Sequence, residues 1–251
     1  MWKTLRMVDT ERVTAPTRRE RLRETTLQEI ADAGRRQLRE VGAAGLTLSA
    51  VARDVGMSAP ALYRYVDGVD GLLTLLITEG YASLGSALHR ARAAVPDDDP
   101  GGQFVAVARA ARRWAVDDVA QWALLFGSPL PGYAAPVDGP TTAGARRASD
   151  EMWEVLVEAQ ARGLLASPVI ERVDEVSCPA LDAKADGPVG LLPQRVQAAG
   201  WGALALLLGA IAMDVFGHMP PADEPVRAAM FENQITAARH LVGLPPPRDG
   251  S

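Results

Sequence analysis

Between Thr47 and Tyr65 the chain gathers side chains of one chemical kind. Thr47, Ser49, Ser58, Tyr63 and Tyr65 carry hydroxyls and Arg64 a guanidinium, with the small residues Ala59, Pro60 and Ala61 set among them. Hydroxyls, guanidinium groups and the free amides at helix N-termini are donors suited to phosphate oxygens. Small residues let a helix backbone come close to base edges, and the methyl-bearing Ala and Pro pack on thymine methyl groups. The chemistry available here is recognition rather than bond-making.

Sets of residues suited to catalysis are not found elsewhere. His89, His218 and His240 have no acid or nucleophile at a useful spacing, and no glycine-rich phosphate loop or Ser/His/Asp set stands out. The single cysteine, Cys178, excludes an internal disulfide, and with the scattered histidines it makes no metal-ligand spacing. Consecutive aspartates in "VPDDDPGG" (95–102) read as a solvated linker and the best candidate for a domain boundary. No catalytic residue, metal or cofactor is expected.

The elements that must hold the donors in place follow from the apolar periods. Residues 1–17 lack a period and contain Pro16, which predicts a loose arm. From Arg18 a helical stripe of Leu27, Ile30, Gly34, Leu38 and Val41 runs to a stop at Gly42 and Gly45. Thr47 or Ser49 can cap a second helix with Leu48, Val51, Ala52 and Val55 on one face, and Gly56 makes the turn. Ser58 is then placed to cap a short third helix over about 59–65, with Pro60 in its first turn and Leu62 and Val66 inward. Ala59, Ala61, Tyr63 and Arg64 are left outward. After Asp67-Gly68 a longer helix, with Leu72, Leu73, Leu76 and Tyr81 on its buried side, runs to about Ala94.

Beyond the break at 95–102, helices are expected over roughly Gln103 to Val116, Val119 to Phe126, Arg146 to Arg162, Leu191 to His218 and Glu224 to Leu241. Loops at 127–145 and 165–190 separate them, and no alternating strand pattern occurs, so the fold class is all-α. The division is an arm (1–17), a three-helix head (18–66), a connecting helix (67–94), a C-terminal domain (95–245) and a tail (246–251). The apolar run "WGALALLLGAIAM" (201–213) is shorter than the roughly 20 residues that span a bilayer and reads as a buried helix, with no membrane partner. The charged opening from Met1 to Arg39 lacks the form of a signal peptide, and the expected compartment is the cytoplasm. Net charge is -5, yet residues 1–69 carry 12 Lys and Arg against 9 Asp and Glu while the rest carries 14 against 22. The N-terminal part is thus the side attractive to phosphate.

Helix, glycine turn and short second helix make a helix-turn-helix, in which the second helix enters the major groove. The stretch "GLTLSAVARDVGMSAPALYRYV" followed by "DGVDGLL" resembles the DNA-binding domain of the TetR family of bacterial transcriptional repressors, over about residues 18–80. That resemblance implies DNA contacts at Thr47, Ser49, Ser58, Ala59, Pro60, Ala61, Tyr63 and Tyr65, with Arg64 added for its charge and outward direction. Where the family often has a phosphate-contacting lysine at the start of the fourth helix, this chain has Val69 between Asp67 and Asp70. Either Lys3, Arg6, Arg12, Arg18 and Arg19 compensate for it, or affinity for DNA is lower.

The segments "RRWAVDDVAQWALLFGSPLPGYAAP" (112–136) and "GWGALALLLGAIAMDVFGHM" (200–219) resemble a ligand-domain subgroup of the same family whose signature reads Trp-His-Gly. Here Trp201 and Gly202 are adjacent, without the histidine. The resemblance implies an effector pocket but no particular residue in it; Trp114, Trp122, Phe126, Met152, Trp153 and Trp201 either line it or are simply core, and Gln121 and Gln160 are the candidate polar anchors. Arg147, Asp150, Glu151, Glu154 and Glu158 read as a solvated helix face. The last two helices, through Leu204, Leu208, Ile211, Met230 and Ile235, are expected to pair with a second copy. The functional expectation is a repressor that binds a palindromic double-stranded DNA operator as a homodimer and is released by a small-molecule effector. A helical carrier or enzyme that keeps the head as scaffold is the alternative, and it would show turnover or ligand binding without any DNA preference.

Overall fold

The computed structural model describes residues 17–170, 172–183 and 187–248; among these the chain forms ten α-helices and no strand. Residues 1–16 of the expected arm, with Lys3, Arg6 and Arg12, lie outside the described residues, as do the last residues of the tail, and Thr17 belongs to the start of the first helix instead.

α1 (Arg18–Val41) starts at a capping box: Thr17 Oγ1 accepts from Glu20 N at 3.2 Å, and Glu20 Oε2 accepts from Thr17 N at 2.6 Å. Its stripe is buried from Ile30 to Leu38, while Leu27 is half-buried and Val41 exposed, because the helix overruns its partners at both ends. α2 (Leu48–Asp54) and α3 (Ala59–Leu62) lie beneath it. Together with the first turns of α4 (Gly68–Ala93) they close a core of Ile30, Leu38, Val51, Leu62, Leu72 and Leu76. Gly34 allows α1 to lie directly on α4, since a Cβ there would sit 3.1 Å from the Leu76 side chain.

α4 is shared between two halves. Its N-terminal turns belong to the head core, and its later residues Leu84 and Leu88 pack with Val107, Ala110 and Ala148. α5 (Pro100–Asp117), α6 (Val119–Phe126), α7 (Pro140–Ala161), α8 (Cys178–Ala183), α9 (Gln194–Val215) and α10 (Glu224–Val242) build the rest. α4 and α9 are long and apolar enough to cross a membrane by length and composition; here α4 packs on α1, α5 and α7, and α9 on α5 and α10.

Three expectations change. α7 starts at Pro140, six residues before Arg146, because proline suits the first helical position and Gly144 lets the early turns close on Tyr81. The loop expected over 165–190 contains α8 and a single 3-10 turn at Pro188–Leu191. The aspartate-rich break is a tight corner: Pro100, Gly101 and Gly102 are the buried first turn of α5, and Asp99 is buried rather than solvated. Asp99 caps α5 through Gly102 N at 2.9 Å and also accepts from Arg248 N at 3.2 Å. The acidic face expected on α7 is likewise engaged, with Glu151, Glu154 and Glu158 surrounding Arg92 of α4.

Candidate nucleic-acid interface and ligand cavity

The corner between α2 and α3 is a glycine turn. Gly56 takes φ +69°, which frees Met57 N–H to donate back to Ala52 O at 2.8 Å. Thr47 caps α2 by accepting from Ala50 N at 3.3 Å, which leaves its own hydroxyl proton free to donate. Ser58 has the extended backbone of an N-cap but makes no side-chain cap bond, contrary to expectation. The Ala61 N–H, the usual partner of such a cap, donates instead to the Ser58 carbonyl at 2.9 Å, which also accepts from Leu62 N–H at 3.1 Å.

The third helix proper ends at Leu62, and residues 63–65 continue it as turns, with Val66 N bonded to Leu62 O at 3.2 Å. Leu62 and Val66 are buried and anchor it. Ser49, Ser58, Pro60, Tyr63 and Arg64 are exposed, Tyr63 by 57%, and Ala59 and Ala61 are half-buried beside them. Thr47 is exposed at the head of α2, on the same corner. Tyr65 is placed differently: its ring lies under the Arg23 guanidinium, 5.4 Å from centroid to carbon, and Arg23 Nη1 donates to Arg64 O at 3.3 Å. Arg23 of α1 thereby holds the end of the reader segment, a role with no local signal because 41 residues separate the partners. At the start of α4, Asp67, Val69 and Asp70 are all exposed, so two carboxylates stand where a cation would serve phosphate.

The second feature is a cavity of about 540 Å³ enclosed by α4, α5, α6, α7 and α9. Trp122, Phe126, Met152, Trp153 and Trp201 line it. Trp114 does not, and its indole N–H donates to Ser83 Oγ at 3.1 Å. Two tilted or edge-on aromatic pairs shape the walls, Trp122–Phe126 at 4.4 Å and Trp153–Trp201 at 5.2 Å. Neither glutamine serves as an anchor: Gln160 is exposed, and Gln121 is buried with its Nε2 donating to Leu76 O at 3.0 Å. The polar groups of the wall are instead Thr142, Arg146, Ser149 and Asp150 of α7, together with Tyr81 of α4. Burial holds both the Asp150 carboxyl and the Tyr81 phenol above their ordinary pKa values, with the Arg146 charge opposing the shift at Asp150. Sequence periodicity put Asp150 on a solvated face because its neighbours are charged.

α6 stands between the cavity and the head. Trp122 and Phe126, four residues apart, face the cavity, while Ala120 and Leu124 pack against the head core. Asp118 begins α6 with Oδ1 accepting from Gln121 N at 3.1 Å. Its Oδ2 accepts from Arg39 Nε and Nη2 of α1 at 3.0 and 2.7 Å.

The residues expected at a dimer interface divide. Leu204, Leu208 and Ile211 line the cavity, Leu204 and Leu208 being half-buried, and Ile235 is buried within the subunit. Met230 lies in a groove of about 370 Å³ along α9 and α10, with Leu206, Gly209, Ala210 and Met213. α9 is apolar on every side, so its inward and outward residues could not be separated by pattern.

Two family profiles match the chain. One, described as bacterial regulatory proteins, tetR family, covers residues 30–75; the other, described as tetracyclin repressor-like, C-terminal domain, covers residues 104–238. The HTH-type transcriptional regulators Rv1816 of Mycobacterium tuberculosis and Mb1846 of Mycobacterium bovis are each 50% identical over 116 residues, 46% of this chain and 50% of theirs. The match thus spans about half the length of these curated relatives. Among solved structures, SCO4313, described as a regulatory protein, is 32% identical with a TM-score of 0.64, over 88% of this chain and 98% of that one. The TetR family transcriptional regulator PfmR from Thermus thermophilus shares the fold at 18% identity and a TM-score of 0.52, over 82% of this chain and 97% of that one.

Proposed function

Because the chain belongs to the TetR family of bacterial regulatory proteins, we propose that it is a DNA-binding repressor released by a small-molecule effector. The observation that carries this reading is the position of α6, with one face on an apolar cavity and the other on the head that presents Ser58, Pro60, Tyr63 and Arg64. The short third helix supplies the close backbone approach, and the hydroxyls of Thr47, Ser49, Ser58 and Tyr63 the phosphate contacts. A pair of subunits joined through the outer faces of α9 and α10 would place two reader helices about 34 Å apart, to match a palindromic operator. An effector that fits the cavity in only one of two head arrangements lowers operator affinity by favouring that arrangement. This is a regulator rather than a catalyst, at work in the cytoplasm where its DNA lies.

Selection of random duplex DNA by the purified protein, at a stated moderate salt, tests the reading. Enrichment of a palindrome with half-sites about one turn apart is the expected outcome. Tyr63→Ala should then weaken binding to that duplex by about 5- to 100-fold, the range of one good contact, with the helical content unchanged. No enrichment by a folded dimer, or equal binding by Tyr63→Ala, overturns the assignment of the reader helix.

A further inference from the structure

We propose that the reader segment identifies its operator through the 5-methyl groups of thymine, so that each half-site holds adjacent T·A pairs where α3 meets the major groove. The inference rests on reading the head as a DNA-binding domain, and three observations then narrow what it can read. The first is the inventory of side chains. From Ser58 to Val66 the chain has no Asn, Gln, Asp, Glu, Lys or His. Asn and Gln pair with adenine, Asp and Glu accept from cytosine, and Arg or Lys pair with guanine. Arg64 is the one residue of the segment with such a capacity, and it lies beyond Leu62, where α3 ends.

The second observation is the state of the polar groups in the first turn. Pro60 has no N–H, and the Ala61 and Leu62 N–H groups are spent on Ser58 O at 2.9 and 3.1 Å. The Ser58 and Tyr63 hydroxyls are exposed, but a hydroxyl both donates and accepts, so it suits a phosphate or any base edge and selects none.

The third observation is what remains. Pro60 is exposed, with Ala59 and Ala61 half-buried on either side of it, while Leu62 and Val66 are buried in the head core and fix the segment. The surface left to discriminate between bases is therefore apolar carbon. In the major groove the apolar group that tells one base pair from another is the thymine methyl. Close packing of the short turn on that methyl is the contact this surface can make, and cytosine at the same place leaves it unfilled.

Selection of random duplex DNA supplies the motif, and competition binding at one salt concentration then compares altered duplexes on the full-length protein. Deoxyuridine in place of thymine removes the methyl and keeps the pairing. Loss of one buried methyl is worth about 4-fold, so the change made in both half-sites should weaken binding about 15-fold. Where T·A is replaced by C·G, 5-methylcytosine in place of that cytosine should restore about 4-fold per half-site. In Pro60→Gly or Ala61→Gly the deoxyuridine penalty should fall below about 2-fold per half-site. An undiminished penalty in both variants, each shown to be folded, overturns the assignment to α3. If neither variant folds, the comparison of thymine with deoxyuridine on the wild-type protein still decides. A motif without adjacent T·A pairs, or one whose thymines accept deoxyuridine at full affinity, overturns the methyl reading alone. Selection that yields no motif overturns the DNA reading of the head, which is a separate failure.

Discussion

Asp118 does two things at once, and substitutions can separate them. Its Oδ1 caps α6 through Gln121 N, and its Oδ2 receives both Arg39 Nε and Nη2 from α1. Loss of a helix cap costs about 1 kcal/mol. The ion pair joins an Arg39 side chain 54% exposed to an Asp118 side chain 19% exposed. Solvent screening on the arginine side therefore keeps its worth to about 1 kcal/mol or less. Asp118→Ala removes both and should lose about 2 kcal/mol, whereas Asp118→Ser keeps a cap acceptor and should lose only the pair. For a chain of this size a loss of 1 kcal/mol lowers Tm by about 2–4 °C, so Asp118→Ala should fall by about 4–8 °C and Asp118→Ser by half of that or less. Arg39→Ala should match Asp118→Ser, and the double substitution should cost no more than either alone. Urea unfolding of the four proteins measures the coupling directly. If the effects of Arg39→Ala and Asp118→Ser simply add, or if Asp118→Ser is as damaging as Asp118→Ala, the bridge between α1 and α6 is not what the geometry indicates.

Gly101→Ala should cost about 1–3 kcal/mol by thermal melting, since the added methyl would lie 2.2 Å from Pro245 O, a backbone atom with little room to retreat. Glu224 has its pKa lowered, first by hydrogen bonds from Arg112, so it adds stability above the ordinary carboxylate range and loses it as pH falls through the folded value. Glu224→Gln should accordingly be less stable than wild type at pH 7, with the two converging only once the pH has fallen below that lowered folded value. Asp150 has the opposite sign: burial raises its pKa, so its charged form weakens the fold at neutral pH. Asp150→Asn should melt higher than wild type at pH 7, and the gap should close in acid as wild-type Asp150 takes up its proton.

What could be read in advance depended on how local the signal was. α6 begins and ends where the sequence places it, because Asp118 and Gly127 punctuate a short apolar run on both sides. α10 starts at Glu224 for the same reason, with Asp223 as cap and Pro225 in the first turn. The reader segment was legible from Gly56, Ser58 and Pro60, but not the exact end of its helix, because Tyr65 is drawn toward an arginine on α1. The cavity was half legible: large apolar residues mark its walls, yet Trp114 and Trp122 carry the same local signal and only the packing sends one to Ser83 and the other to the cavity. That Leu204, Leu208 and Ile211 line the cavity was not legible, because an evenly apolar helix gives no stripe by which to orient it. Nothing local distinguishes Asp118 as a partner of Arg39, 79 residues away.

The proposed regulation requires that occupation of the cavity be felt by the head, and the contacts around α6 leave little slack for it to be absorbed. Gln121 on that helix donates to Leu76 O of α4, and Gly80 lies so close that a Cβ there would be 2.3 Å from Gln121 Nε2. Leu76 belongs to the head core, together with Leu72 and Leu73. A ligand that pushes on Trp122 or Phe126 therefore displaces an eight-residue helix whose opposite side is fixed to α4 by Gln121 and to α1 by Asp118. Allosteric coupling is typically worth about 1–3 kcal/mol, or 5- to 150-fold in affinity. One hydrogen bond and one partly exposed ion pair are each worth about 1 kcal/mol. Contacts of this modest strength suffice for the regulation, and no large rearrangement of the bundle is required. By the same reasoning, Gly80→Ala, which forces Gln121 off Leu76, should leave operator affinity responsive to salt but much less responsive to the effector.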